Sequence, residues 1–381
     1  MSNPFELLRE EMDHLVVGHT DVKTALLLGI ISREHIYIQG PPGTAKTMLS
    51  EIISKSAELD FFFYQMHRDT RLSELVGDLV ISREDTKDGE LIRQDIIKGG
   101  ILTSEICLLD DISRAPGESL NVLLRILNER KYGEESIPLL TAIATSNPTA
   151  DEYYNEPLDP ANLDRFVIQI NSNGLSYEKQ WEDVKKIVNL YSAKNGSYDY
   201  VTKVGKKILN DTYKKFEKVV VPVDVQDGLI NFVSWLIEDQ KLNEQNSVIS
   251  DRTFLVKSIK IIKANAILDG RDQADLSDLK ALKFLLAFRI PEELVRFTLR
   301  GAYEGAWVVC RLNVSMKYYA QLRAAADAED QAAMATLFGD HALAEWNLEG
   351  PTGEPLPANG EGMMGIPLQM AMQIVAEWVE Q

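Results

Sequence analysis

The sequence predicts an α/β protein built on a parallel five-stranded sheet, followed by an all-helical section and a small terminal unit of α+β or α type. Three observations carry this expectation. A glycine-rich stretch, Gly40-Pro41-Pro42-Gly43-Thr44-Ala45-Lys46-Thr47, lies between a short apolar run and a helical pattern. Further apolar runs recur down to Ile170 with helical periodicity between them, the alternation of a parallel sheet. From Ser176 to Leu286 strand signals almost vanish and helical spacing takes over. The expected domains are residues 1–173, 174–288 and 289–381.

Residues 5–34 read as helical with a break at Val16-Val17-Gly18-His19-Thr20. Thr20 stands where it would cap the helix that carries Ala25, Leu26, Leu27 and Leu28 toward the sheet. His35 to Gln39 is the first strand and Met48 to Ile53 the start of a helix, so the glycine-rich stretch has the strand–loop–helix context of a phosphate-binding loop. Gly40 and Gly43 allow the chain to curl, and the N–H groups of Pro42-to-Met48 residues (Gly43, Thr44, Ala45, Lys46, Thr47 and Met48, after Pro42) then converge on one point at a helix N-terminus. Lys46 would meet β- and γ-phosphates, and the Thr47 hydroxyl would sit on magnesium. Ala45 stands where a third glycine is usual; it is small and suits helical angles, so the departure is slight. The break at Val17 and Gly18 has two readings, a turn beside the nucleotide base or a plain turn between helices.

Phe61-Phe62-Phe63-Tyr64-Gln65 has the aromatic content of a central strand. Met66 to Gly100, with Arg68, Arg71, Arg93 and a turn at Lys87-Asp88-Gly89, is expected to protrude as a hairpin with short helices. Ile106-Cys107-Leu108-Leu109-Asp110-Asp111 is a buried strand with two carboxylates at its carboxyl end, the edge where ligands bind in such sheets. Helix caps also read this way; the distance from Lys46 favours the site. Asp110 fits a magnesium ligand and Asp111 a group that orients or deprotonates water. Leu139 to Thr145 is a further strand ending at Ser146-Asn147-Pro148, where Asn147 either touches phosphate and water or belongs to an ordinary turn. Leu163-Asp164-Arg165 leads into the last strand, Phe166 to Ile170.

The composition limits the classes of function. The 381 residues carry a net charge of −18, which opposes non-specific binding to nucleic acid and disfavours a nucleic-acid motor. Cys107 and Cys310 stand far apart, without the spacing of a zinc site or a disulfide framework. The amino-terminal residues lack signal-peptide character and no apolar run approaches a membrane span, so the expectation is a cytoplasmic protein with no membrane partner.

The ordered series of motifs resembles the MoxR branch of the AAA+ ATPases, and within it the RavA-like group. It runs from Val17-Gly18 through Gly-Pro-Pro-Gly-Thr-Ala-Lys-Thr, Leu-Leu-Asp-Asp-Ile-Ser-Arg-Ala-Pro at 108–116, Leu-Asn-Glu-Arg at 127–130, Ala-Thr-Ser-Asn-Pro at 144–148 and Leu-Asp-Arg-Phe at 163–166. Ser250-Asp251-Arg252 and Asp269-Gly270-Arg271 to Asp278-Leu279 complete it, over about residues 5–286. The resemblance implies a P-loop nucleotide domain with a helical lid, assembled as a ring, usually a hexamer of identical chains, with ATP and Mg2+ between neighbours. It further implies Lys46, Thr47 and Asp110 on phosphate and metal, Asn147 as first sensor, Arg165 as a finger reaching the neighbour's ATP, and Arg252 as second sensor on the lid. Such proteins remodel or mature client proteins, commonly with a partner bearing a von Willebrand factor A domain. The family generally has Glu where this chain has Asp111, one methylene shorter, so a non-hydrolysing ATP-binding adaptor stands as the alternative.

After Leu286 lysine almost disappears while alanine and acidic residues become dense. Ile290-Pro291-Glu292-Glu293 is the expected start of the terminal unit, Gly305 to Leu312 a strand, and Met316 to Phe338 one or two helices. Gly350 to Gly365 reads as a loop. Pro367 to Val379 reads as an amphipathic helix with Met370, Ile374 and Trp378 on one face. The part from Leu343 through the loop is somewhat similar to small bacteriophage tail-assembly proteins. A small packing or adaptor unit is the simpler expectation.

Overall fold

The structure, a computed structural model, describes residues 3–86, 89–148, 158, 160–176, 180–193, 204–238, 242, 254–288, 294–311, 322, 325, 330–350 and 353–380. The chain divides into two compact units, Met1–Ile290 and Pro291–Gln381.

The first unit begins with α1 (Pro4–Leu15), whose Phe5, Leu8, Met12 and Leu15 fall on one buried face at helical spacing. Asn3 starts the helix by accepting from the Phe5 N–H, and its amide also donates to the Leu268 carbonyl at 2.7 Å. α2 (Thr20–Ser32) is apolar all round and buried, as a helix enclosed on several sides must be. Thr20, expected as its cap, is instead the first helical residue. His19 holds the cap position in the left-handed region (φ 52°), so the chain turns one residue earlier than the hydroxyl suggested.

The sheet follows. β1 (Ile36–Gln39) leads through the glycine-rich loop into α3 (Lys46–Ser56) and then β2 (Phe61–Gln65). The short helix α4 (Leu72–Val76) precedes a long antiparallel hairpin, β3 (Gly77–Thr86) with β4 (Gly89–Lys98), where the protruding hairpin was expected. Next come β5 (Ile106–Asp110), α5 (Gly117–Glu129), a small ribbon of β6 (Lys131–Tyr132) and β7 (Glu135–Ser136), β8 (Thr141–Ser146), α6 (Pro160–Leu163) and β9 (Ile168–Asn171).

The parallel five-stranded order is β2-β5-β8-β1-β9. β2, expected at the centre, is therefore an edge strand. Its aromatic run packs on one flank only, and Phe63 remains 45% exposed. In β1, β5, β8 and β9, alternate residues enter two separate cores. Ile36, Ile38, Ile106, Leu108, Ile143 and Ile168 face one; Tyr37, Cys107, Leu109, Ala142 and Ala144 face the other.

His35 fixes the start of β1. Its Nδ1 accepts from the Ala142 N–H at 2.9 Å and its Nε2–H donates to the Leu127 carbonyl at 2.9 Å, so one neutral tautomer ties β1 to β8 and α5. Burial, aided by nearby Arg130, pushes its pKa down to about 4.

Of the helical section, α7 (Trp181–Ala193), α8 (Lys206–Lys218), α9 (Val223–Glu238), α10 (Val256–Leu268) and the 3-10 run Leu276–Leu285, all but α7 share the first of these cores with the sheet. Buried Glu34, beside β1, accepts from Lys257 and Lys260 of α10, at 2.6 Å each. Burial pushes its carboxyl up, but the two ammonium groups outweigh that and leave the pKa lowered. Arg271 joins Asp269, Asp275 and buried Asp278 in a network at the other end of α10.

The second unit is α+β, with an antiparallel sheet of β10 (Leu294–Thr298), β11 (Trp307–Arg311) and β12 (Leu343–Trp346). Helices Gln331–His341, Gly360–Gly365 and Leu368–Glu380 close a core around Val308, Phe338, Leu343 and Ile374. Ile374 is buried on the last helix, while Met370 and Trp378 are half-buried beside it, the face expected from the spacing. Trp378 packs edge-on to Phe338 and donates its indole N–H to the Arg311 carbonyl at 2.8 Å. The expected turn residues Lys87 and Asp88, the start at Ile290 to Glu293 and most of Met316 to Glu329 lie outside the described residues.

His35 is neutral in the fold and ionisable in the unfolded chain, with a folded pKa below the unfolded one. Its contribution is present above about pH 6.5 and is lost as pH falls through 4. The expected loss is about 3 kcal/mol over that window. Urea unfolding from pH 7 to pH 4 checks it: His35→Gln should start less stable and show a shallower fall than the parent.

Candidate functional site

The carboxyl ends of β1, β5 and β8 lie side by side and gather most of the expected site residues. β8 runs between the other two, so its last residues reach both the loop after β1 and the carboxylates after β5. The Gly40 N–H donates to the Ser146 carbonyl at 3.0 Å and so carries the β1–β8 ladder one step into the loop. Gly40 is required by close approach, because a Cβ there would lie 2.1 Å from the Ser172 carbonyl oxygen. Gly43 serves by conformation, at φ 84°.

Ala45 corrects the expectation drawn from its size. It is not helical but left-handed, at φ 55° and ψ 16°, just before α3. The position is one a glycine fills without strain, whereas an L-residue pays roughly 1–2 kcal/mol. Pro42 and Thr47 are exposed, Met48 half-buried and Thr44 buried; the Thr44 hydroxyl donates to the Pro41 carbonyl at 3.0 Å.

Lys46 is 8% exposed. Its ammonium donates to the carbonyls of Gly40 (2.7 Å) and Pro41 (2.9 Å) and to the Thr44 hydroxyl (3.2 Å). Burial lowers its pKa, and the charges of Asp110 and Asp111 work in the opposite direction. These carboxylates thus sense the loop's cation across the strand ends.

The β5 end is organised by a residue that carried no expectation. The Thr145 hydroxyl donates to Asp110 Oδ1, and it accepts the Asp111 N–H at 3.3 Å. Asn147 Nδ2 donates to Asp111 Oδ1 at 3.0 Å, while Arg114 Nη1 lies 3.6 Å from the other Asp111 oxygen. Asp111 itself has left-handed backbone angles, φ 54° and ψ 43°. Thr145 was findable: β5 and β8 pair in parallel with Leu109 opposite Ala144, so the next residues, Asp110 and Thr145, meet at the edge. Ser113 and Ser146 hydroxyls, 3.0 Å apart, extend the polar seam.

The remaining expected residues stand apart from this group. Val17 and Gly18 form the link between α1 and α2, with Gly18 at φ 70° against Leu175; the same segment after β9 supplies the Ser172 carbonyl that meets Gly40. Arg165 lies in the turn before β9, half-buried, with its Nε buried and unpartnered among the described residues. Arg252 lies outside the described residues.

The donor set fits a nucleotide with magnesium. A buried lysine and the N-terminus of an eleven-residue helix meet anionic oxygens, and one carboxylate with one exposed hydroxyl is the sparse protein share that Mg2+ takes beside phosphates. Among the described residues no cluster of three or more His, Cys, Asp or Glu forms a metal site independent of a ligand.

Residues 5–195 match the family of the MoxR domain in the MoxR-vWA-beta-propeller ternary systems, and residues 229–293 match an AAA lid domain. An uncharacterised protein of Methanocaldococcus jannaschii is 31% identical over 76% of this chain and 72% of its own length. The chaperone MoxR1 of Mycobacterium tuberculosis is 27% identical over 46% of each chain. A structure solved for a candidate ATPase of Cytophaga hutchinsonii superimposes with a TM-score of 0.58 at 24% identity, covering 76% of this chain and 87% of that one, which supports the fold. These matches speak to the MoxR family and not to the RavA-like group or the tail-assembly likeness.

The left-handed Ala45 makes a directional test. Ala45→Gly should raise stability slightly, by about 0.5 kcal/mol, and Ala45→Val should lower it by about 2 kcal/mol. Urea midpoints read the order; Val at or above the parent would show that the position is not left-handed in solution.

Proposed function

Because the chain belongs to the MoxR family of AAA+ ATPases, we propose that it binds ATP with Mg2+ and hydrolyses it in a ring to remodel, assemble or activate a client protein. The observation that supports this most directly is the meeting of Lys46, Asp110, Asp111 and Asn147 at the carboxyl ends of the strands, where Thr145 joins the two aspartates, Asn147 bonds Asp111 and the carboxylate charges act on Lys46. In this reading Lys46 leaves its loop carbonyls for the β- and γ-phosphates. The loop N–H groups from Gly43 to Met48 take the remaining oxygens, and Thr47 and Asp110 hold the ion, which neutralises phosphate charge. Asp111 orients and deprotonates water, and Asn147, already on Asp111, ties the γ-phosphate to that carboxylate. Arg165 acts on the neighbour's nucleotide, and Arg252 links the lid to the nucleotide state.

The family description points to the partner class: a protein with a von Willebrand factor A domain, and a β-propeller beside it. The ring is taken as a homohexamer and the client as a protein. Among the described residues no helix is long and apolar enough to cross a membrane.

A second reading has one observation in its favour. Both Asp111 oxygens are engaged, by Asn147 and Arg114, on a side chain one methylene shorter than the family's. A chain that bound ATP without turnover would use it as an assembly switch. Steady-state ATP hydrolysis separates the two: turnover abolished by Lys46→Ala supports the ATPase. Tight ATP binding with no turnover supports the adaptor, and ATP affinity unchanged in Lys46→Ala would refute both.

Arg165 has its own test. Arg165→Ala should leave ATP binding within about twofold while stopping turnover, since a finger given in trans stabilises charge on the transferring group. Mixing it with Lys46→Ala protein should restore part of the activity at mixed interfaces. A mixture that co-assembles and stays inactive would remove the trans role.

A further inference from the structure

The last helix, Leu368–Glu380, has more apolar surface than the described residues of its own unit cover. Ala371, Ile374 and Trp378 turn to the core. Gln369, Gln373 and Glu377, spaced by four, make a narrow polar flank. Between these two faces runs a second apolar stripe, Leu368, Met372 and Val375 with Ala376, in which Leu368 is 56% and Met372 60% exposed. With Met334 and Ala335 of Gln331–His341 and Met363 of Gly360–Gly365, it lines an open groove of about 510 Å³. From Leu368 to Ala376 the stripe rises about 12 Å, a little over two helical turns. A groove of this length between helices takes the apolar face of one amphipathic helix. Its three methionines give an adaptable lining.

Charge selects the occupant. Residues 291–381 hold thirteen acidic and five basic side chains, a net −8, in an already acidic protein. Acidic residues stand close in sequence to its lining: Asp330 precedes Gln331 and caps the helix that carries Met334, and exposed Glu361 lies two residues before Met363. A second copy of this chain would bring the same negative charge.

We propose that this groove is a docking site for a basic amphipathic helix of a partner protein, with the partner's apolar residues over Met372 and its lysines or arginines toward these acidic residues. The groove is lined entirely by residues of the second unit.

The test uses the full chain and a fluorescently labelled Leu/Lys peptide of about 14 residues with leucines at i, i+3, i+4 and i+7. Binding should weaken at least tenfold in Met372→Glu and in Leu368→Glu, and persist in Met372→Leu; circular dichroism should confirm that all three are folded. The sign is informative, because each added glutamate would tighten mere charge attraction yet loosens seating in the groove. A Leu/Glu peptide of the same spacing should bind at least tenfold more weakly than Leu/Lys. Absence of Leu/Lys binding, unchanged or tighter binding in both glutamate variants, or equal binding of the Leu/Glu peptide would each overturn the proposal. So would loss of self-association in Met372→Glu by light scattering without an effect on the peptide, which would make the groove a contact between copies.

Discussion

The edge where the strand ends meet depends on one ammonium kept buried close to two carboxylates. A buried lysine is costly unless its charge is met, and Lys46 is met at short range by carbonyl oxygens and at longer range by Asp110 and Asp111. The carbonyls belong to Lys46's own loop, so the contact holds the loop folded. The carboxylates belong to β5, two strands away from β1 across β8. That placement requires parallel strands in this order, and it makes β8 the bridge: Ser146 holds Gly40, Thr145 holds both aspartates, and Asn147 holds Asp111. A shift of β8 by one residue would turn Thr145 to the other face and dismantle all of these contacts together.

Register is therefore defended from the opposite end of the sheet. His35 grips β8 and α5 through both ring nitrogens, and Thr141 donates to the Gly29 carbonyl at the end of α2. Glu34 and Lys257 with Lys260 add an ionic link from the same corner to α10. An adjacent cation, Arg33, lies over the Tyr213 ring of α8 at 3.7 Å. The short segment from Arg33 to His35 thus ties the helical section and the sheet to one point at the start of β1. The strand that begins there ends at the glycine-rich loop four residues later, a short path between the helical section and that loop.

Much of this was legible in the residues. Strands β1, β5, β8 and β9, the hairpin, the glycine-rich loop and the paired aspartates all follow from local pattern, because each combines a hydrophobic period with a residue type that only one backbone context favours. What local pattern does not carry is adjacency. Phe61 to Gln65 has central-strand composition but lies at an edge, since strand order is set by crossovers. Thr145 looks like any β-branched residue in a strand and acquires its role only when β5 is laid beside β8. Ala45 misled by its size, for its handedness is imposed by the loop closing over Lys46 and not by its own preference. Thr20 misled by one residue, because a left-handed His19 reverses the chain before the hydroxyl is reached.

Asp111 brings backbone and chemistry to one position. Its left-handed angles favour short polar residues, among which Asn and Asp are the usual ones, since their side chains bond locally. A glutamate would give more reach at the same backbone angles, which Glu58 adopts elsewhere in the chain at φ 54°, so the shorter acid is a matter of reach and charge and not a demand of the backbone. Asparagine would satisfy the same backbone and could still face Asn147, yet it would carry no charge for Arg114 or for Lys46. The carboxylate thus retains what the backbone alone does not demand, a negative charge beside Asp110 where repulsion between the two must be offset. Thr145, Asn147, Arg114 and Lys46 supply the offset.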